Sequence, residues 1–141
     1  QELGPVFETL EIIAASAAHL ENTNLVIPEL NDDETDFEKM VKWIAENLGN
    51  EVPLHLSRYF PQHEMDLPAT SIKKLETLFG LAKQNLLYVY LGNMDDEKRS
   101  STYCPKCGNL LISRNRYSTK INGLNQDKSC KNCGTQVKIG I

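Results

Sequence analysis

The chain has 141 residues, of which 40% are hydrophobic and 24% are charged, and its formal net charge at pH 7 is −4. This size suits one ordinary domain, or a small domain with a mini-domain attached. The apolar content is enough for a core and excludes intrinsic disorder as the main description. No apolar run approaches the roughly 20 residues that span a bilayer, and no basic-then-apolar leader opens the chain. We therefore expect a cytoplasmic protein that does not contact a membrane.

The charge is distributed unevenly along the chain. Residues 1–97 hold 18 acidic and 6 basic residues, a net charge of −12, whereas residues 98–141 hold 9 basic residues against Asp127 alone, a net charge of +8. All four cysteines lie in the basic part. A change this sharp predicts two units, which we place at 1–94 and 102–141, with a polar linker over 95–101.

Helical and strand-like patterns alternate in the first unit. The first helix opens at Gly4-Pro5, and its apolar face extends to Ala17. Acidic residues and cap formers begin a second helix at about 34–48, and a third helix carries apolar residues from Ile72 to Ala82. Short apolar runs after each helix, bounded by turn signals, predict three strands at 25–27, 54–57 and 86–91.

This order predicts successive βαβ units. The strand centres at Val26, Leu56 and Val89 are 30 and 33 residues apart, which is typical of parallel strands joined by right-handed crossovers. The nearly continuous apolar strands favour a sheet that is buried on both faces. Three parallel strands with two open edges make a poor complete domain. We therefore expect the sheet or barrel to continue in sequence on the N-terminal side, and the open edge to pair with that missing half or with another chain.

The cysteines form the most specific pattern in the chain. Cys104-Pro-Lys-Cys107-Gly and Cys130-Lys-Asn-Cys133-Gly are two Cys-x2-Cys pairs with 22 residues between them. Each sequence predicts a tight knuckle, and four thiolates suit one tetrahedral ion in a closed structural site. Zinc is the predicted metal, although iron could occupy the same ligands. Two disulfides, or a redox dithiol, are the less favoured alternatives.

The residues around the knuckles predict a zinc ribbon over 102–141. Strand patterns at 110–114 and 117–119 form a hairpin, and 136–139 would add a third strand. About 40 residues bury too little surface to fold alone, so the metal would supply the folding energy.

Candidate ligand-binding residues follow the predicted strands, because parallel α/β folds bind ligands beyond the carboxyl ends of their strands. The polar residues at these positions are Asn31, Asp32, Ser57, Arg58, Tyr59 and Asn93. Helix capping is the favoured role of Asn31 and Asp32. Arg58 directly follows a buried strand and needs a carboxylate or an anionic ligand as its partner. His55 could face a site, or it could be a hydrogen-bonded core histidine.

The basic ribbon raises a second class of function, a stand-alone zinc-ribbon module that contacts nucleic acid or a protein. Tyr103 and Tyr117 could stack on bases beside the lysines. The same lysines could instead solvate a small domain, or dock it on the acidic unit. Nucleic acid is the less favoured partner.

Five segments, in this order, carry a family resemblance: 25–32 (LVIPELND), 53–61 (PLHLSRYFP), 88–93 (YVYLGN), 102–114 (TYCPKCGNLLISR) and 130–134 (CKNCG). Together they resemble the C-terminal half of radical SAM enzymes. They are most similar to AmmeMemoRadiSam-system proteins, which are described as pyruvate formate-lyase activating enzyme-like. The likeness covers nearly the whole chain.

The resemblance implies part of a (β/α) barrel with three parallel strands, followed by a four-cysteine ribbon. In such enzymes a 4Fe–4S cluster cleaves S-adenosylmethionine (SAM) reductively to a 5′-deoxyadenosyl radical. A Cys-x3-Cys-x2-Cys motif holds that cluster, and this sequence has no such motif. The cluster and SAM would therefore belong to the full-length enzyme only, and this chain would be inactive alone.

The resemblance also implies which residues lie near the cofactor. Ile27, Asn31, Ser57 and Arg58 would line the barrel mouth near the adenosyl group or the substrate, and His55 is a further candidate. The family name associates such proteins with Memo-like and AMMECR-like partners.

Overall fold

A computed structural model describes residues 3–139, and in it the three predicted strands form one parallel sheet. In chain order, the elements of the first part are α1 (Gly4–Ala14), β1 (Asn22–Val26), α2 (Glu34–Asn47), β2 (Leu54–Arg58), α3 (Ile72–Ala82) and β3 (Val89–Gly92). The sheet order is β1-β2-β3, and both strand pairs are parallel. The predicted parallel α/β arrangement is confirmed. The first strand begins earlier than predicted, and the third begins later.

Both crossover helices cover the same face of the sheet. Asp33 caps α2 by accepting a hydrogen bond from the Asp36 amide at 3.0 Å, and Ser71 caps α3 by accepting one from the Lys74 amide at 3.1 Å. The apolar sides of these helices then pack on alternate residues of the strands. The fully buried members of this core are Val26, Val41, Leu54, Leu56, Leu75, Leu78, Ala82 and Leu86.

Helix α1 lies beside α2 but is loosely packed. None of its residues is buried, and its main aromatic contact joins Phe7 to Trp43, with ring centroids 4.4 Å apart. The helix ends at Ala14, so the prediction that its face reaches Ala17 is wrong. The Ser16 hydroxyl donates a 2.7 Å hydrogen bond to the Ile13 carbonyl, a local bond that competes with helix continuation.

The second part is a three-stranded antiparallel sheet that follows a short helix. Its elements are α4 (Glu97–Ser100), β4 (Thr102–Tyr103), β5 (Leu110–Asn115) and β6 (Ser118–Ile121), and the sheet order is β4-β5-β6. The segment predicted as a linker thus contains α4, which Asp96 caps by accepting a 2.9 Å hydrogen bond from the Arg99 amide.

The predicted third ribbon strand over 136–139 is wrong. The third strand of the ribbon is β4, and Gln136 makes only an isolated bridge with Ser129. Val137 and Ile139 are buried against the parallel sheet. The apolar residues at alternate positions, Val137 and Ile139, therefore reflect side-chain packing. They do not mark a paired strand.

The ribbon docks on the second face of the parallel sheet, at β3. Tyr88 and Tyr90 project to this face and share a buried cluster with the ribbon residues Leu111 and Ile112. The Tyr90 hydroxyl lies 3.0 Å from the Thr102 hydroxyl. Burial raises the pKa of Tyr88 to about 12. The expectation of strands buried on both faces therefore holds for β3.

The same face is open over β1 and β2. Its register row joins Leu25, Ser57 and Gly92, and Leu25 is 44% exposed. Strand β2 alternates between core residues and the half-buried His55 and Ser57, so the expectation of burial on both faces is wrong for this strand. Within residues 3–139, no helix is both long and apolar enough to cross a bilayer.

A threonine joins the carboxyl ends of β1 and β2 to the segment that leads into α3. Thr70 is fully buried, and its hydroxyl donates to the Val26 carbonyl at 2.6 Å and accepts from the Tyr59 amide at 3.1 Å. Its own carbonyl accepts a 2.8 Å hydrogen bond from Nε of Arg58. This single side chain therefore fixes the edge of the sheet where ligands bind in parallel α/β folds.

Replacing Thr70 with valine tests this role. Valine keeps the shape but leaves the Val26 carbonyl and the Tyr59 amide buried without their partner, so we expect a loss of about 1–3 kcal/mol in the free energy of unfolding. Chemical denaturation measures the loss. The control is Thr70→Ser, which keeps the hydroxyl and should lose clearly less. Equal losses in the two variants would contradict the assignment.

Candidate metal centre

The four cysteine sulfurs converge on one point. Sγ of Cys104 lies 3.6 Å from Sγ of Cys133, and Sγ of Cys107 lies 3.7 Å from Sγ of Cys130. All four sulfurs lie within 4.8 Å of one another, and all four cysteines are free thiols. A tetrahedron with metal–sulfur bonds of about 2.3 Å has edges of about 3.8 Å. The sulfur spacing therefore fits one tetrahedral metal ion, as the sequence predicts, and the disulfide alternative does not describe this structure.

Two equivalent knuckles position the sulfurs. The amide of Cys104 donates to the Asn109 carbonyl at 2.8 Å, and the amide of Cys130 donates to the Thr135 carbonyl at 2.9 Å. The glycine after each second cysteine, Gly108 or Gly134, has a φ of +71°, a conformation that residues with a Cβ rarely adopt. Each Cys-x2-Cys-Gly sequence therefore folds as predicted, and each presents two sulfurs.

The sequence interpretation missed Asn109 and Thr135, which stand at the same position in the two knuckles. The amide Nδ2 of Asn109 lies 3.9 Å from Sγ of Cys130, so the first knuckle reaches across to the second. The Thr135 hydroxyl lies 3.2 Å from Sγ of Cys133. The signal was present in the sequence, because both knuckles continue Cys-Gly with a polar residue.

The sulfurs differ in their readiness to ionise. Hydrogen bonding with Thr135 lowers the pKa of the Cys133 thiol to about 6, whereas burial raises the pKa of the Cys104 thiol to about 11. Metals bind the thiolate and displace the proton. A bound cation would therefore favour the ionised form of all four thiols.

A crowded glycine joins the two knuckles and was also missed by the sequence analysis. A Cβ on Gly123 would lie 2.3 Å from the Leu110 carbonyl oxygen and 2.5 Å from Nδ2 of Asn109. The Gly123 carbonyl accepts a 2.8 Å hydrogen bond from the Lys131 amide, within the second knuckle. The position of Gly123 therefore has no room for a side chain while the two knuckles face each other.

The arrangement suits a structural role for the metal. Four protein sulfurs complete a tetrahedral shell, whereas catalytic zinc sites keep one position for water or substrate. Two of the sulfurs belong to Cys104 and Cys130, which are 3% and 1% exposed and sit in the cluster that joins the ribbon to β3. The four-cysteine site therefore lies within the packing between the two sheets.

The residues predicted at the strand ends are only partly brought together. Arg58 and Asn93 are adjacent, since Nδ2 of Asn93 donates to the Arg58 carbonyl at 2.8 Å. Asn31 is engaged within its own loop, because it accepts from the Ile27 amide at 2.7 Å and donates to the Leu25 carbonyl at 2.9 Å. Asp32 accepts from the Glu29 amide of the same loop. These bonds shape the loop between β1 and α2. The predicted helix capping by Asn31 and Asp32 is wrong, because Asp33 is the N-cap of α2.

His55 lies towards the amino end of the sheet, away from the strand ends. Its Nε2 is 2.8 Å from a carboxylate oxygen of Glu21, and its ring stacks on Tyr90 with centroids 5.0 Å apart. Glu21 also contacts His19 at 2.9 Å. Hydrogen bonds from the two histidines outweigh the opposing effect of burial and lower the pKa of Glu21. Through these contacts, Glu21 and Tyr90 hold the His55 ring in place.

Replacing one sulfur tests the metal site. With Cys104→Ser, we expect the zinc content to fall from about one ion per chain to near zero after dialysis, because three thiolates no longer close the shell. Elemental analysis gives the content and the metal's identity, and cobalt substitution reports thiolate coordination through its charge-transfer bands. The matched control is Lys106→Ala in the same knuckle, which should keep the metal. Unchanged zinc in Cys104→Ser would refute the site.

A pair of glycine variants tests the crowding at the knuckles. Gly123→Ala should lower the free energy of unfolding by about 1–3 kcal/mol through overpacking and weaken zinc retention against a chelator. Gly80→Ala, in helix α3 with nothing within 4 Å of the added Cβ, should instead be neutral or stabilise by up to about 1 kcal/mol. The opposite ranking would show that Gly123 is not constrained.

Comparison with known proteins adds one relative. No family model matches the chain, and no solved structure matches it. The chain is similar to an uncharacterized protein of Methanocaldococcus jannaschii, with 39% identity over 140 residues. The alignment covers 97% of this chain but 42% of the relative, so the chain spans about two fifths of the length of the curated protein it matches. Because that relative is itself uncharacterized, the likeness supplies no activity.

Proposed function

We propose that the chain is the C-terminal part of a radical SAM enzyme, in which the last strands of a (β/α) barrel are followed by a structural zinc ribbon. The observation that carries the proposal is the one-sided winding of the parallel sheet. The strand order β1-β2-β3 never reverses, and α2 and α3 lie on one face. Barrels keep one strand direction and one outer layer of helices. One half of a doubly wound sheet shares this arrangement, and the resemblance of the sequence to radical SAM enzymes favours the barrel.

The open face of the sheet has the character of a barrel interior. Where the ribbon does not cover it, this face presents Thr23, His55 and Ser57, which alternate with the core residues of their strands. In barrels, residues that face inward alternate with residues that face the helices. Leu25 shares this face, which is therefore open and partly polar. Such a face suits the inner wall of a barrel better than a sheet that is packed on both sides.

The free edge of β1 supports a further strand. Within residues 3–139, β1 pairs with β2 on one side, and its other edge is open. Open strand edges are normally covered or paired. A preceding strand would cover this edge, and the greater length of the archaeal relative is compatible with such an addition.

The described residues do not fit an iron–sulfur cluster of the radical SAM type. Such a cluster takes three cysteines from a Cys-x3-Cys-x2-Cys motif, whereas the four cysteines here form two Cys-x2-Cys pairs that converge on one tetrahedral position. In the proposed enzyme, this chain supplies the later barrel wall, with Ser57 and Arg58 near the mouth, and a ribbon that braces β3. Cluster and SAM binding belong to the rest of the enzyme.

Assays of SAM cleavage test the assignment. After anaerobic reconstitution with iron and sulfide, this chain should yield no 5′-deoxyadenosine from SAM and dithionite, because it has no cluster motif. The complete gene product, including the sequence upstream of Gln1, should yield 5′-deoxyadenosine under the same conditions. Chromatography with mass detection measures the product.

Two outcomes would contradict the proposal: 5′-deoxyadenosine from this chain alone, or none from a complete gene product that carries iron. The control is the complete product with its upstream cysteines replaced by alanine. Hydrogen exchange gives an independent readout, because the amides of β1 should be better protected in the complete product than in this chain.

A further inference from the structure

A cleft of about 1310 Å³ lies between the parallel sheet and the ribbon. One wall comes from the carboxyl ends of β2 and β3, with Arg58 and Asn93, and the other from the β5–β6 hairpin, with Arg114, Arg116 and Tyr117. None of Ile27, Asn31, Ser57 and His55 lines this cleft. The ribbon therefore contributes side chains to the edge of the sheet where ligands bind in parallel α/β folds.

The acidic residues in the cleft are all engaged. The Asp95 carboxylate accepts hydrogen bonds from Nε and Nη2 of Arg116 at 2.9 and 2.7 Å. Asp96 is ion-paired with Arg99, and Glu97 accepts a 3.2 Å hydrogen bond from Nδ2 of Asn115. Arginines of the chain therefore match the charges of Asp95 and Asp96, whereas the partner of Glu97 is a neutral amide.

Two arginines in the cleft have no carboxylate partner within residues 3–139. Arg58 donates from Nε to the Thr70 carbonyl at 2.8 Å, and its guanidinium lies over the Phe60 ring at 4.7 Å. Arg114 donates from Nη1 to the Thr102 hydroxyl at 2.6 Å and lies 5.3 Å from the Tyr90 ring centroid. Both guanidinium groups are thus held in place by neutral groups. Arg58 is bound through Nε and keeps both terminal nitrogens for a ligand, whereas Nη1 of Arg114 also donates to the Ser100 carbonyl at 3.3 Å.

The hairpin is fixed across the cleft by the Arg116–Asp95 pair. Arg116 has a φ of +52°, a left-handed conformation that costs free energy in a residue other than glycine. The bidentate ion pair connects the hairpin tip, where Tyr117 is fully exposed, to the segment before α4. The second wall of the cleft is therefore built by a contact between the two parts of the chain.

We propose that this cleft binds a small ligand through an oxyanion group, a carboxylate or a phosphate, held by Arg58 at the end of β2, with Arg114 on the opposite wall. The guanidinium fork matches both groups geometrically. Phe60, Ile72 and Met94 also line the cleft and offer apolar surface to the remainder of the ligand. Anion binding here requires a folded ribbon, but it does not require the radical chemistry proposed above.

Titration of the zinc-loaded chain tests the proposal, with inorganic phosphate in one arm and succinate in the other. At low ionic strength, at least one probe should produce saturable amide shifts in NMR spectra at Asn93, Asn115 and Tyr117. Arg58→Gln should weaken that binding by about tenfold or more, because a charge-assisted hydrogen bond is lost. The matched control is Lys73→Gln, which removes one exposed charge outside the cleft and should bind as the parent chain does.

The arms also identify the chemistry of the anion. Saturation by phosphate alone assigns a phosphate ligand, saturation by succinate alone assigns a carboxylate ligand, and saturation by both assigns a general oxyanion site. The absence of saturation with both probes, or equal weakening in Arg58→Gln and Lys73→Gln, would overturn the proposal. Zinc content and the unperturbed part of the spectrum verify that each variant is folded. The SAM assay is scored separately, so either proposal can fail alone.

Discussion

The convergence of four sulfurs on one point is the constraint on which the rest of the ribbon depends. The ribbon is small, and its buried apolar residues cluster around Cys104 and Cys130 without forming a separate core. Two knuckles that are distant in sequence must face each other, and Gly123 permits their close approach. A metal that binds both knuckles closes the long loop between them. The free energy of metal binding then stabilises the folded ribbon. Without this link, little would hold the knuckles together.

The convergence of the four sulfurs also affects how the ribbon packs on the parallel sheet. Tyr88 and Tyr90 complete the cluster that contains the metal-binding cysteines, and Tyr90 contacts Thr102 and Arg114 of the ribbon. The sharp change of charge along the sequence therefore marks two parts that pack against each other. Their opposite charges meet directly, as in the pair of Lys138 with Glu51 at 2.7 Å. Such an exposed pair contributes little energy, so the shared apolar cluster holds the docking.

Much of the fold was predictable because its signals are local. The spacing of the apolar runs predicted the parallel sheet, and the spacing of the cysteines predicted the metal site. The two-residue strand β4 carries no periodicity, and the apolar alternation of Val137 and Ile139 is the same whether these residues pair or only pack. The roles of Thr70 and Gly123 depend on neighbours from separate segments of the chain. Such tertiary contacts leave no pattern in a single sequence.

The burial of the sheet changes from one edge to the other. Strand β3 is covered on both faces, by helices on one side and by the ribbon on the other. Strand β2 is covered by helices, but its other face carries His55 and Ser57, and β1 adds the exposed Leu25. A self-contained three-layer sheet would bury its strands on both faces and would read as apolar throughout. The partly open face of β1 and β2 does not have that character. The cleft that contains Arg58 and Arg114 lies next to the covered strand, β3. There the ribbon supplies a second wall that the sheet alone does not provide.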